Sequence, residues 1–580
     1  MKRIILFAAV TLLAGGASAQ MTYEEFAKQQ NQQYQQFKSD RQAEFDAFRK
    51  RVNEEYADFM KKRWELYNAM PAVEPTQEKD VAPVEFKEEP QPEQNAEAPK
   101  TEEKQQTVAD NKPAEKPQPV ADNKPAEKPQ PVADENPAEK PQPAVADNKP
   151  AEEPKPAEAA PEEKPDERQQ GPVDRVKTPV STFTPKPIPI QKDIVIVPKP
   201  EPAPEPIAPV EPDKEKPHKT EAISFYGTMV SVGFPEPDPF RVPELKEAAL
   251  AEAWKQLSNE RYDITVNNVL TARESLKLCD WGYMNFLKEI TEKHYGQSNE
   301  AVYMMAYLMT QSGYRVRLAF STKKNKLYML FACKYDIYSM TYYKVDGQKF
   351  YAFNCDAKDL NICPAAVDKE KSLSLQIATD QQFDKNLTQK RTLTSKKGVT
   401  ATVCVNKNNI DFFNTYPSAF IGGDQTTRWA AYANTPLEKN VREALYPQLK
   451  EKLRGLSEKD AVGLILNWIQ TAFVYEYDDK VWGHDRAFFA AETLFYPYCD
   501  CEDRAILFSR LVRDLIGSDV VLLYYPGHLA AAVGFKEQVN GDYLFYNNKK
   551  YVVCDPTYIN AGVGRTMPGM DNQKAKVIVL

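Results

Sequence analysis

At 580 residues and a formal net charge of −8, with 75 basic and 83 acidic side chains intermixed along its length, the chain offers no basic field for a nucleic acid. That length has room for several domains of about 100–200 residues, but the prolines crowd between residues 71 and 217, where a packed core has little to build on. No segment of the mature chain reaches the length of about 20 apolar residues that a membrane-spanning helix requires.

In chain order, Lys2 and Arg3 precede an apolar run from Ile4 to Leu13 that ends in Ala17, Ser18 and Ala19. This is the pattern of a signal peptide over residues 1–19, cleaved before Gln20. No cysteine lies beside that point to take a lipid anchor, so the expected location is periplasmic or secreted. Residues 20–70 carry an aromatic repeat: Tyr23, Tyr34, Phe45, Tyr56 and Tyr67 recur every eleven residues, as do Phe26, Phe37, Phe48, Phe59 and Met70. Eleven residues complete almost three helical turns, so both sets line one stripe of a long helix. An exposed aromatic stripe favours self-association or docking, as a coiled-coil stalk or a surface-binding anchor.

Residues 71–221 read as a tether. "VADNKPAEKPQP" stands at 108–119, recurs at 120–131 and returns as "VADENPAEKPQP" at 132–143. Proline at this density forbids helix and sheet, and without large apolar side chains nothing drives collapse. An extended spacer of polyproline character is expected, stiffening through "TPKPIPIQKDIVIVPKPEPAPEP".

From about residue 222 the composition turns globular. Over residues 440–580 a helix ends near Leu453 and a second, "SEKDAVGLILNWIQTAF", opens with Ser457 three residues ahead of Asp460, the spacing of an N-terminal cap. A further helix begins near Cys501. Four strand patterns follow, "DVVLLYY", "HLAAAVGF", "GDYLFYN" and "KKYVVCD", separated by Pro526-Gly527, Asn540-Gly541 and Asn547-Asn548. A helix feeding an antiparallel meander makes an α+β layer.

All eight cysteines lie beyond residue 278. Cys501, at the first turn of its helix, would face unpaired N–H groups and the positive end of the helix dipole, which stabilise a thiolate. His528 follows a Pro-Gly turn at the head of an apolar strand, and Asp555 closes "KYVVC" before Pro556. Cysteine, histidine and aspartate so placed suit nucleophilic thiol catalysis: the imidazole takes the thiol proton and returns it to the leaving amine, and the carboxylate orients the imidazole. Glu502 and Asp503 suit a helix N-terminus but oppose thiolate formation. Gln470, Trp482 and Tyr498 are candidates for a second oxyanion donor beside the Cys501 N–H, and His484 is a candidate to line the cleft. Cys499 could pair with Cys554 and leave Cys501 free, or Cys501 could itself be bridged. The Cys499/Cys501 pair is a weak metal motif without a second ligand pair, and no acidic calcium loop is evident; neither metal nor cofactor is expected.

The stretches "CEDRAILFSRLVRDLIG", "PGHLAAAV" and "YVVCDPTY", in that order, resemble the transglutaminase-like superfamily of papain-type cysteine acyl transferases. The resemblance implies Cys501 as nucleophile, His528 as general base and acid, and Asp555 as orienting carboxylate. It implies a protein or peptide substrate, with cell-wall peptides one candidate, and either hydrolysis, as in a peptidase or amidase, or cross-linking. The contrasting expectation is a non-catalytic binding or scaffolding protein.

An echo of the same pattern lies upstream. "SNEAVYMMAYLMTQSGYRVRLAF" at 298–320 matches "EDRAILFSRLVRDLIGSDVVLLY" at 502–524, with Gly313 against Gly517, and "NKLYMLFA" and "DGQKFYAFN" continue the match. In that register Gln297 stands for the cysteine, Leu327 for the histidine and Asn354 for the aspartate. Residues 222–365 are thus expected to be a degenerate copy of the fold, and 366–439, with "VTATVCV" and "TRWAAYANT", a small β-rich connector.

Overall fold

Two stretches of helix, glycine and apolar strand organise the protein. Helix Asn299–Gln311 is capped by the Ser298 hydroxyl, which accepts the Ala301 N–H at 3.3 Å. It turns through Gly313, at φ +86°, into the fully buried strand Val316–Ser321. Helix Cys501–Leu515 turns through Gly517, at φ +77°, into Asp519–Tyr525. Left-handed glycine just past a helix end is what such a reversal needs. The computed structural model describes residues 23–62, 64–70, 73, 79–87, 184–188, 194–199, 201–207, 212 and 216–580. The expected signal peptide and the twelve-residue repeats lie outside them.

Each helix–strand pair belongs to a six-stranded sheet, giving an α+β fold. One sheet runs Glu65–Asn68, Asp359–Ile362, Val316–Ser321, Lys326–Ala332, Gln348–Ala352, Tyr342–Val345; the other runs Val195–Ile196, Lys576–Val579, Asp519–Tyr525, His528–Gly534, Lys549–Cys554, Tyr543–Tyr546. Position by position, the order of strands along the chain is the same. All neighbours are antiparallel except Val195–Ile196, which lies parallel to Lys576–Val579. Alternating side chains divide each sheet between two apolar layers. Leu522, Leu529 and Val533 join the main core with Leu318, Phe320 and Phe331. Val521, Leu523 and Ala530 face a separate layer, as Ala319, Tyr328 and Leu330 do in the first sheet.

The strand register corrects part of the expected echo. His528 opens its strand opposite Tyr525 across a two-residue turn; the residue that opens the corresponding strand, opposite Ser321, is Lys326. Leu327 is one place further on and buried. Gln297 is exposed ahead of its helix, and Asn354 is exposed with φ +48°. The loop joining the first pair of strands is two residues longer, which displaces the alignment by one strand position.

Three further boundaries differ from expectation. The N-terminal helix covers Tyr23–Met60, and Tyr67 instead lies on the edge strand Glu65–Asn68. Its last turns dock on the body: Tyr56 packs 4.3 Å from the Trp254 ring, and Arg49 meets Asp263 at 2.8 Å. Phe48 and Phe59 stay exposed, so docking selects one side of the aromatic stripe. Parts of the expected 71–221 tether are pieces of the fold. Residues 79–87, 184–188, 194–199 and 201–207 carry enough apolar side chains, Val81, Phe86, Ile188 and Val197 among them, to dock as extended edge segments. The 366–439 connector holds one hairpin, Arg391–Thr394 with Thr400–Val403, and two short helices, Lys407–Phe413 and Arg428–Asn434. "TRWAAYANT" is helical because Trp429, Ala430, Tyr432 and Ala433 all reach the core, a spacing a strand cannot satisfy.

Candidate functional site

Cys501 is the first residue of its helix, behind Asp500, whose side chain accepts the Asp503 N–H at 3.4 Å while Asp503 accepts the Asp500 N–H at 3.3 Å. This reciprocal cap fixes the entry of the chain, and the Cys501 N–H has no partner within the helix. The helix packs on strand His528–Gly534, and the thiol is 1% exposed. Its sulfur lies 3.2 Å from Glu502 Oε2 and 3.9 Å from Asp80 Oδ1. Burial, then the charges of Glu502, Asp80 and Asp500, push the thiol well above its ordinary range, against one favourable N–H from Leu529. In this arrangement the sulfur is a thiol.

His528 and Asp555 come together as the sequence pattern implies. Antiparallel pairing of Ala531 with Cys554 brings the end of one strand beside the start of the other, and His528 Nε2 lies 2.9 Å from Asp555 Oδ2. The other carboxylate oxygen accepts the Thr557 and Tyr558 N–H groups at 2.9 and 3.2 Å. An ionised carboxylate accepts only, so it selects the Nε2–H tautomer and leaves Nδ1 as the basic atom. Nδ1 is buried and has no hydrogen-bond partner. Behind the pair, Gln470 Nε2 donates to the carbonyls of Asp555, Tyr558 and Ala561 at 2.8–3.0 Å. Gln470 therefore braces the turn that carries Asp555 and is no oxyanion donor.

Cys501 and His528 line one cleft, together with Asp80, Arg428, Trp429 and Asp485. Trp482, Tyr498 and His484 are not part of its wall: Trp482 is enclosed by Arg486, Phe488 and Tyr496, Tyr498 is 38% exposed, and His484 is an exposed residue bonded to the Trp482 carbonyl. One cleft residue that sequence reasoning missed carries an unpaired donor, Trp429. Its ring stacks on Tyr524 at 5.3 Å, its Nε1–H is buried with no acceptor, and it faces the cleft from a helix of the connector. An isolated Trp in a segment read as strand carries no local sign of this placement.

The eight cysteines are all free thiols, so neither Cys499 nor Cys554 forms a bridge. Around the helix N-terminus the carboxylates crowd: donor atoms of Asp478, Asp500 and Asp503 lie within 4.8 Å of one another, as do those of Asp478, Asp485 and Glu502. Spacing of this kind would also let a divalent cation bridge them. Most already have partners on the chain: Asp503 accepts the Phe488 N–H, Asp478 the Arg486 N–H, and Asp485 pairs with Arg428 at 2.6 Å. Compared with protein-family models, curated proteins and solved structures, the chain matches none.

Proposed function

We propose that the Cys501 cleft performs acyl transfer on amide bonds of a protein or peptide, in the manner of a transglutaminase-like enzyme. The observation that carries this reading is the His528 imidazole, held through Nε2 by Asp555, with its basic Nδ1 buried and unpaired in the cleft that holds a helix N-terminal cysteine. In the reaction, Nδ1 takes the thiol proton and the thiolate attacks the amide carbonyl. The Cys501 N–H and the Trp429 Nε1–H stabilise the developing oxyanion. Collapse expels the amine, which takes the imidazolium proton, and leaves a thioester. Water or a second amine, deprotonated by the same nitrogen, then resolves it. We favour water, hence a peptidase or amidase. The matched strand order of the two sheets supports reading the upstream unit as a degenerate copy, with Lys326 and Asn354 where the active unit has His528 and Asp555. The leading segment supports export to a periplasm or beyond.

A binding or scaffolding protein is the second reading. It is favoured by the thiol's contacts with Glu502 and Asp80, with no hydrogen bond between the thiol and Nδ1. Limiting iodoacetamide labelling of the mature protein, mapped by mass spectrometry, separates the two. Acyl transfer requires modification focused on Cys501 that falls at least tenfold in His528→Ala. Labelling indifferent to His528, with Cys501→Ala leaving all cellular function intact, would leave only the scaffold.

A further inference from the structure

Residues 79–87, "KDVAPVEFK", cross the mouth of the cleft as an extended chain held by main-chain pairing. The Val81 N–H donates to the Gly527 carbonyl at 2.9 Å, on the turn that launches His528, and the Tyr475 hydroxyl reaches the Val81 carbonyl at 3.4 Å. Further along, the Ile559 N–H donates to the Val84 carbonyl and the Phe86 N–H to the Ile559 carbonyl, both at 2.8 Å, on the loop that follows Asp555. The segment thus pairs with both loops that border the His528–Asp555 pair. Gly527 has φ +73°, and a Cβ there would stand 2.6 Å from the Lys79 carbonyl, so the turn admits a backbone in close contact.

Side chains fix the same track. Val81, Val84 and Phe86 pack on the cluster of Tyr558, Ala561 and Met567. Phe86 meets the Tyr558 ring edge-on at 5.7 Å and lies beneath the Arg565 guanidinium. Glu85 accepts from Asn560 at 3.0 Å and pairs with Lys396 at 3.4 Å. The remaining acid, Asp80, points into the cleft and ends 3.9 Å from the nucleophile sulfur. Backbone pairing along a loop edge with alternate side chains in shallow sites is how extended peptides are recognised. An acidic side chain this close to the sulfur also opposes ionisation of the thiol.

We infer that this surface is a binding groove for an extended peptide, and that residues 79–87 occupy it in cis, keeping Cys501 covered until they are displaced. The inference rests on the acyl-transfer reading for the identity of the displaced ligand, a polypeptide whose apolar residues take the places of Val81, Val84 and Phe86. No bond in the strap is proposed to be cleaved; release is a shift in population between docked and undocked segment.

The test uses the full mature chain with the double substitution Val84→Ala and Phe86→Ala, which removes anchors remote from the chemistry. Amide hydrogen exchange at Val81 and Phe86 reports undocking, and iodoacetamide labelling at pH 7.5 reports access to Cys501. The expected result is faster exchange together with labelling raised at least tenfold, and added synthetic peptide of the 79–87 sequence restoring protection. Phe86→Ala alone, a smaller change that spares the fold should the double variant misfold, gives the same sign. Faster exchange with labelling unchanged would overturn the inference. Failure of the acyl-transfer reading looks different: the loosened variants label faster, but His528→Ala in the same background makes no difference and no amide is turned over.

Discussion

A buried donor left without an acceptor costs about 1–3 kcal/mol, so the Trp429 indole N–H is retained at a cost unless something in the cleft accepts from it. Replacing Trp429 with Phe keeps the ring stacked on Tyr524 and removes only the N–H. In the proposed acyl transfer the oxyanion forms after the sulfur attacks, so on that reading kcat is expected to fall about 100-fold, within the usual effect of losing one oxyanion donor. Iodoacetamide labelling of Cys501 should not change, and thermal stability should hold or rise slightly. A parallel fall in labelling would mean that Trp429 shapes the cleft instead of meeting the oxyanion. Glu502 makes a second residue-scale case. It lies 3.2 Å from the sulfur and is the largest charge holding the thiol above its ordinary range. A negative neighbour disfavours the thiolate, so Glu502→Gln should move the pH profile of Cys501 labelling to lower pH. An unmoved profile would show that burial alone sets the thiol.

At the scale of elements, the helix Glu458–Ala472 supports the site through a single side chain. Gln470→Leu leaves three buried carbonyls without their donor. We expect a loss of about 1–3 kcal/mol of stability and, for the proposed acyl transfer, a fall in kcat larger than any change in KM, since the loss acts through the position of Asp555. Guanidinium unfolding and steady-state kinetics check the two halves, and Gln470→Glu should not rescue, because it lacks the N–H donors. Elements of this kind were the legible part of the molecule. The Ser457 cap, the glycines after the two helices and the alternating strands announce themselves in local periodicity and turn chemistry. Cys501, His528 and Asp555 were legible because each stands at a helix or strand terminus. Illegible were the features whose cause is non-local. Residues 79–87 have no period because an extended segment on an edge needs only a few apolar side chains. "TRWAAYANT" has strand-like composition yet is helical, because Trp429 and Tyr432 must reach the same core. The loop between Ser321 and Lys326 shifted the echo because its length, not its composition, sets the register.

On the scale of the whole molecule, one apolar core runs without interruption from Tyr56 of the N-terminal helix through both sheets to Ile578, so the two units are expected to unfold together. Buried in and around that core are acids that folding deprives of water. Burial, followed by repulsion from Glu502, pushes Asp80 up to about 7 and Asp478 up to about 8. Burial lifts Glu438 and Glu492 to about 7 as well, and raises Asp500 and Asp503 well above the ordinary carboxyl range. In the unfolded chain the same carboxyls titrate near about 4. Between about pH 4 and 8 the folded state therefore holds more protons than the unfolded state, and stability falls as pH rises through that window. The stabilising contribution is complete below about 4 and lost above the folded values. The melting temperature of the full chain is thus expected to decline from pH 5 to pH 8. Asp478→Asn, which retains an oxygen for the Arg486 N–H, should flatten that decline by removing one of the titrating groups. A melting temperature that rises over the interval would require these acids to be ionised and paired in the fold, with a bound cation the first candidate for the missing positive charge.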